Sequence, residues 1–408
     1  MPNTKSFSIQ NLNIFLISIL PVGLVFGSLI SNSIVCLICI FFIYDLYVKR
    51  NFHYLKQYNF YFLLIINIYL ILNSFFLSEY NESIIKSVGF LRFIILTYAI
   101  SYYFIISANK ILKIWLLFFI IVSFDILFEY TFGKNMLGYQ STYPARVTSF
   151  TGDEMKIGGY YFGFIFLSLF FIKQYKPNFF LIFSIIFFII CLLIGERSNF
   201  IKVFIMYSLF FIFFHKISLL KKLLLMIVLV VSSTSIVLST PGLKSKFINH
   251  IVDKKLIENI QTNKKNIDYI EVILNNRHLS HYYVAVNIFK ENILFGTGFK
   301  SFRIESLKSK YQKKEMLGAS THPHQFHFEI LAELGLIGYI LIFSNLIYII
   351  FKRFDYEEKL IRTGALLFIL VSLIPILPSG SFFTSYGATI FFINYSFLIR
   401  PKDINNKN

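Results

Sequence analysis

The chain is short of charge. Only 15% of its 408 residues are Asp, Glu, Lys or Arg, against roughly 25% in soluble domains. Acid is scarcer than base, 21 residues against 39. Cysteine occurs three times, at Cys36, Cys39 and Cys191, always inside apolar runs. The polar stretch 241–325 has none, so no disulfide staples it. Cys36 and Cys39 have redox or zinc spacing, but a lipid-embedded helix offers no second pair of ligands to complete a zinc site. No internal repeat is visible. No cleavable leader is expected, because Lys5 is the only basic residue before the first apolar run and no small-x-small site follows it. What the chain has instead is apolar surface: 56% hydrophobic residues, 19% aromatic and a mean hydropathy of +0.66. A soluble domain of this length has no interior large enough to hold it, so the bilayer must be the solvent.

A spanning helix needs about 20 mostly apolar residues. Twelve stretches approach this, at 14–31, 33–48, 59–77, 87–107, 111–130, 157–172, 178–195, 199–214, 223–240, 326–351, 361–378 and 382–399. The net charge of +18 could suggest nucleic acid, but it falls mainly in the short loops between these stretches, which makes it a topology signal. With the N-terminus inside, the inner segments hold 18 Lys and Arg, and the short outer ones hold 5: Lys86, Lys134, Arg146, Lys156 and Arg197. The expected architecture is all-α, with both termini cytoplasmic. It divides into 1–240 (nine spans), 241–325 (one large loop on the far side, containing short helices) and 326–408 (three spans and a tail).

Polar groups that a bilayer should exclude mark function in such a chain. Four sites on the outer face carry them. The stretch from Tyr143 to Gly159 holds Arg146, Asp153, Glu154 and the pair Gly158-Gly159, which ordinary turn chemistry and close helix packing also explain. Gly195-Glu-Arg-Ser198 is so short a connection that Arg197 must lie at the membrane–water interface, where a snorkelling arginine is common. Arg277 precedes an amphipathic run, 284–295, that suggests a helix on the membrane surface and stops at Gly296-Thr-Gly298. The glycine pair is a weak phosphate-loop signal. His322-Pro-His-Gln-Phe-His327 opens the tenth span. Pro323 suits a first helical turn, with Thr321 or His322 as cap. That would place His324 in the first turn, where the helix dipole disfavours protonation and favours a general base. Interfacial capping, a zinc site of His322, His324 and His327, and a proton relay are the competing readings.

At this last site the sequence resembles the O-antigen ligase and polymerase family of bacterial envelope glycosyltransferases. His324-Gln325, nine residues (326–334) and Gly335-Leu-Ile-Gly338 match the family's histidine motif at the end of its large periplasmic loop. Arg197 matches the short periplasmic turn with an essential arginine, although this chain reads Glu-Arg-Ser where many relatives have Ser-Arg-Gly. Arg277 matches the arginine opening the loop's helical part, Phe295-Gly-Thr-Gly-Phe299 resembles the Gly-x-Gly after it, and the Arg146–Gly159 stretch resembles the loop before the sixth span. The resemblance covers roughly 140–399. It implies a GT-C-like membrane enzyme of the inner membrane, working toward the periplasm without metal, nucleotide or other cofactor. Its donor would be a glycan on undecaprenyl diphosphate. Its acceptor would be a sugar hydroxyl of lipid A-core (a ligase, which the histidine motif favours) or of another lipid-linked repeat (a polymerase). Protein O-glycosyltransferases share the motif region. The implied catalytic residues are His324 as base, with Arg197 and Arg277 on the diphosphate; Arg146 and Glu333 are candidate accessories. The competing class is a transporter or flippase of lipid-linked glycans, which would show internal repeats and mid-membrane charges. A non-catalytic assembly partner would not need His and Arg together. No nucleic-acid partner is expected.

Overall fold

The computed structural model describes residues 8–152, 154–214, 218–249, 277–312, 319–353 and 360–399. Every regular element among them is helical: α1 Ile9–Phe26, α2 Ser28–Val48, α3 Tyr58–Leu77, α4 Ser83–Gly89, α5 Leu91–Phe132, α6 Ile157–Tyr175, α7 Phe180–Leu193, α8 Arg197–Leu209, α9 Leu219–Ser239, α10 Pro241–Lys244, α11 Arg277–Glu291, α12 Phe302–Glu305, α13 Phe326–Arg353, α14 Leu360–Ser372 and α15 Ser385–Ser396. Eight helical segments are long and apolar enough to cross a membrane, and Pro177–Leu193 and Leu360–Ser372 are shorter apolar helices. Among the described residues, stretch 14–31 is interrupted at Gly27 between α1 and α2, stretch 361–378 is helical only to Ser372, and the others lie mainly on helices. Stretches 87–107 and 111–130 lie mainly in α5, which is two helices meeting at a kink at Ser107 (φ −143°, ψ 38°).

Buried polar side chains lock the bundle where lipid could not satisfy them. Trp115 donates to the Ile17 carbonyl (3.0 Å), tying α5 to α1. Asn59, Asn345 and Tyr395 form a closed set across α3, α13 and α15, with Asn345 Nδ2 2.8 Å from Asn59 Oδ1 and the Tyr395 hydroxyl 2.9 and 2.5 Å from the two amide oxygens. In α5, Asp125 and Glu129 turn toward the next connection. Glu129 accepts from the Thr148 and Ser149 amides (3.1 and 2.5 Å), and Asp125 accepts from Ser149 Oγ (2.5 Å) and the Met136 amide (2.8 Å). Two intramembrane carboxylates thus hold the 135–149 connection at one end of the bundle.

The tenth stretch, expected as one continuous span, is broken. Gly335 takes φ 65°, ψ −167° inside α13, a backbone region essentially closed to other residues. The break frees backbone groups that must find partners. The Gly296-Thr-Gly298 turn supplies them: Thr297 N donates to Ala332 O (3.1 Å) and Gly298 N to Glu333 O (2.9 Å), while Leu336 N donates to Ile293 O (2.8 Å) and Ile337 N to Leu294 O (3.1 Å). Tyr69 of α3 takes the Leu334 carbonyl (2.6 Å), and Asn73 takes that of Phe295 (2.7 Å). The approach is so close that a Cβ on Gly296 would lie 2.4 Å from Glu333 O, and one on Gly335 2.4 Å from Leu294 O. The glycine pair is therefore neither a phosphate loop nor only a helix stop. It interlocks with the broken helix, and the nine residues before Gly335 form a separate short helix.

The amphipathic run is divided. Val284, Ala285 and Ile288 of α11 are buried in a small core with Phe302, Tyr311 and Ala332, whereas Ile293, Leu294 and Phe295 at its end are exposed.

Candidate functional site

The connection from Leu373 to Thr384 joins the elements that carry the candidate residues. Pro375, Pro378, Ser379, Gly380 and Ser381 keep it out of helix until Thr384 caps α15 by accepting from the Gly387 amide (3.1 Å). Its polar groups bond to five different segments. Leu373 O takes His327 Nε2 (2.8 Å), Ile376 O takes the Tyr282 hydroxyl (3.2 Å), and Pro378 O takes Lys202 Nζ (3.0 Å) and the Ser198 hydroxyl. Ser379 N donates to His324 O (2.8 Å). Glu329, 1% exposed, accepts from the Phe382 amide (2.9 Å) and the Ser381 hydroxyl. Lys300 Nζ donates to Ser381 Oγ (2.9 Å) and lies 3.9 Å from Glu329. Burial pushes the Lys300 ammonium below its ordinary range, against the pull of Glu329 and Glu333.

His324 is not in the first turn of a helix. It precedes α13 with φ 57°, a left-handed conformation that histidine adopts more readily than most residues. The cap is Gln325, whose side chain accepts from the Phe328 amide (3.0 Å) and whose carbonyl accepts from Glu329 N (3.0 Å). Neither Thr321 nor His322 plays that part, because the left-handed turn intervenes. Any dipole effect on His324 is thus weaker than a first-turn position would give, since it falls off within the terminal turn. The turn directs the His324 ring toward α11. It stacks on His281 at 5.3 Å and 28°, meets His278 edge-on at 5.5 Å, and lies 4.0 Å from His322. Burial holds the His322 imidazole below its ordinary range, with Lys300, His281 and Arg303 adding to the effect and Glu329 opposing it.

His327 points elsewhere. Its Nδ1 is 2.9 Å from the Tyr339 hydroxyl and its Nε2 is bonded to Leu373 O. With both nitrogens committed, it does not join His322 and His324 as a third metal ligand. Among the described residues, no three His, Cys, Asp or Glu are arranged to hold a metal ion.

A second cluster, of arginine and lysine, lies on the other flank of Pro378. Gly195 turns the chain with φ 77°, so tightly against Ala145 that a Cβ would lie 2.3 Å from its carbonyl. Val147 N bonds to Ile194 O (3.1 Å), which fixes Arg146 over the turn. Arg146 Nη1 is 3.8 Å from Glu196 Oε1. Glu196 occupies the space over Gly158, where a Cβ would lie 1.9 Å from Oε2, and accepts from Asn199 Nδ2 (2.5 Å). Gly158 therefore makes room for a carboxylate, while Gly159 faces Tyr386. Burial raises the Glu196 carboxyl above its ordinary range, although Asn199, Arg146, Lys202 and Lys246 all pull it down. Arg197 opens α8, and the next residue, Ser198, is bonded to the connection that holds His324.

The structure thus links Arg197 to His324 through the Pro378-Ser379 dipeptide and places Arg146 beside Arg197. Arg277 is the first residue of α11, one position before His278, but its side chain lies outside the described part, as does Asp153. Glu333 lies beside Lys300 and Glu329. It is fully buried and accepts from the Lys300 amide (2.9 Å) and the Phe302 amide (3.3 Å), so it holds the 300–302 turn. Sequence reasoning missed the 373–384 connection, because a search for charge passes over a segment with none. Its Pro, Gly and Ser content between two apolar runs was the available signal. A small apolar cleft of about 30 Å³ opens beside its Phe382 and Phe383, lined also by Leu70, Phe90, Ile342 and Phe392.

Residues 160–343 match the family model described as O-antigen ligase. The match runs from α6 into α13 and takes in Arg197, Arg277, the Gly296–Gly298 turn and His324 through Gly338. It leaves out Arg146 and the 373–384 connection. A comparison with curated proteins gives no match.

Proposed function

From the O-antigen ligase domain over residues 160–343, we propose that the protein is a glycosyltransferase of the inner membrane whose site faces the periplasm. It moves a glycan from undecaprenyl diphosphate to a sugar hydroxyl of lipid A-core. The observation that carries this reading is the joining of the His324 turn to the Arg197 turn through Pro378 and Ser379. A base and a diphosphate ligand must flank one sugar carbon, and the bonding of both turns to one short connection supports such a pairing.

The chemistry follows from the residues. As the glycosidic bond to the diphosphate breaks, negative charge develops on the leaving oxygen. The guanidinium of Arg197 offers a fixed fork of donors for phosphate oxygens, and Arg277 is assigned the same role by its place in the family motif. The attacking hydroxyl loses its proton to the His324 imidazole as it bonds to the sugar carbon. No divalent ion is required if the arginines neutralise the leaving group. The polyprenyl chain would run down the apolar flank of the bundle, where the cleft beside Phe382 is one wall open to it.

The test is transfer by purified protein in detergent, with a lipid-linked glycan as donor and lipid A-core as acceptor. A capped lipid A-core product supports the reading. Extension of a second lipid-linked repeat instead would make the enzyme a polymerase. No movement of glycan between lipids in this single compartment would contradict a transferase and leave transport as the better account.

A further inference from the structure

Lys246 is partly buried, but its Nζ is shielded from solvent and has no hydrogen-bond partner among the described residues. It sits just beyond α10, and its surroundings are built. A Cβ on Gly242 would touch Ala145 at 2.6 Å, Leu243 is buried, and Phe247 packs edge-on against Phe200 of α8 at 5.8 Å. These contacts press the segment against both the Arg146 connection and the start of α8. The charged groups facing Lys246 are Arg146 from the connection before α6, and Glu196 and Arg197 from the α7–α8 turn. Three cations thus share one carboxylate, and that carboxylate is already engaged by Asn199. The remaining neighbour of Glu196, Lys202, spends its ammonium on Pro378 O. A buried cation with no partner is costly unless an anion joins it, and a cluster with surplus positive charge is the arrangement that receives one.

We infer that Lys246, with Arg146, forms a second phosphate subsite, so that a lipid diphosphate is held by Arg197 at one phosphate and by Lys246 at the other. This deepens the proposed function and rests on it. Lys246 touches the leaving group and is in that sense a catalytic residue, one lying outside the family's histidine and arginine motifs. Burial pushes its ammonium down to about 8, with the repulsion of Arg146 and Arg197 adding to the shift and Glu196 opposing it. In the empty site the charge is therefore lost within an accessible pH range, and a bound diphosphate restores it.

The experiment measures binding of a short-chain polyprenyl diphosphate, its monophosphate and inorganic pyrophosphate to the purified full chain. Wild type is expected to prefer the diphosphate lipid to the monophosphate. Lys246→Gln is expected to weaken diphosphate binding by about tenfold or more, the size expected for a hydrogen bond to a charged group, with monophosphate binding unchanged. Wild-type affinity for the diphosphate should fall by about tenfold between pH 7 and pH 9, as the empty site loses its proton. Lys246→Arg should keep the affinity at pH 7 and abolish that fall, because arginine stays charged; this arm decides the matter if the Gln variant does not fold. Equal diphosphate binding by wild type and Lys246→Gln, or an unchanged pH fall in Lys246→Arg, overturns the subsite alone. Pyrophosphate binding as tight as the lipid's overturns the assignment to a lipid donor. Absence of diphosphate binding by wild type overturns the subsite and the function it rests on together.

Discussion

Gly335→Ala tests whether the broken helix is what builds the site. At φ 65°, ψ −167° a residue with a side chain costs about 1–3 kcal/mol in backbone strain. The new methyl would lie 2.4 Å from Leu294 O and 2.5 Å from Gly296 N, well inside contact distance, so the two segments must part. Parting them breaks Leu336 N to Ile293 O and Ile337 N to Leu294 O, and each buried group left unpaired costs about 1–3 kcal/mol. Counting one orphaned group per bond, the total is about 3–9 kcal/mol, a large share of the roughly 5–15 kcal/mol that holds a native protein together. At roughly 2–4 °C per kcal/mol for larger chains, the unfolding midpoint in detergent should drop by about 10 °C. Gly133→Ala is the control: its φ is 76° but nothing lies within 4 Å of the added Cβ, so only the left-handed cost of about 1–2 kcal/mol applies. Transfer should fall at least about tenfold in Gly335→Ala, because the short helix 326–334 carries Glu329 and follows His324. An unchanged midpoint with full transfer, or equal damage from both substitutions, refutes the interlock.

Arg197→Ala and Arg277→Ala should each lower turnover by about 10²–10³, the usual loss for one charge-stabilising donor, with only partial rescue by Lys; near-normal transfer at matched expression removes that arginine from the site. For the buried pair, Lys300→Met or Glu329→Leu alone should destabilise by about 3–5 kcal/mol, whereas the double variant should recover most of that loss; additive losses in thermal unfolding would show that the two do not act as a pair. Transfer should survive chelation, since His327 is committed to Tyr339 and Leu373; loss in EDTA, restored by a divalent ion, would contradict this.

Most helices were legible because lipid admits few alternatives to a helix for a long apolar run, but the break at Gly27 and the end of α14 at Ser372 were not. The candidate site was legible as residues but not as geometry. Arg197 and His324 carry a spacing and a charge that a sequence displays. The left-handed turn at His324 and the break at Gly335 depend on contacts with distant segments, such as Ser379 and Ile293, so local propensity could not reveal them; the Gln325 cap is local and follows from where that turn ends. Pro323 invited a helix start, and tertiary bonding overrode it. Sequence shows the amphipathicity of α11 but not which part of its apolar face the protein covers. Nor does it show that Glu333, a candidate accessory, holds the Lys300 and Phe302 amides.

On the proposed mechanism His324 takes the proton from the acceptor hydroxyl. The most direct measurement is single-turnover transfer between lipid-linked donor and acceptor by purified His324→Ala, beside His322→Ala and His327→Ala at matched folding. His324→Ala is expected to abolish the chemical step while its donor binding stays at the wild-type level. His322→Ala is expected to be milder, and His327→Ala to lose thermal stability before it loses rate, since that ring bridges Tyr339 and Leu373. Wild-type rates from His324→Ala together with a dead but folded His327→Ala would contradict that mechanism and move the base to His327.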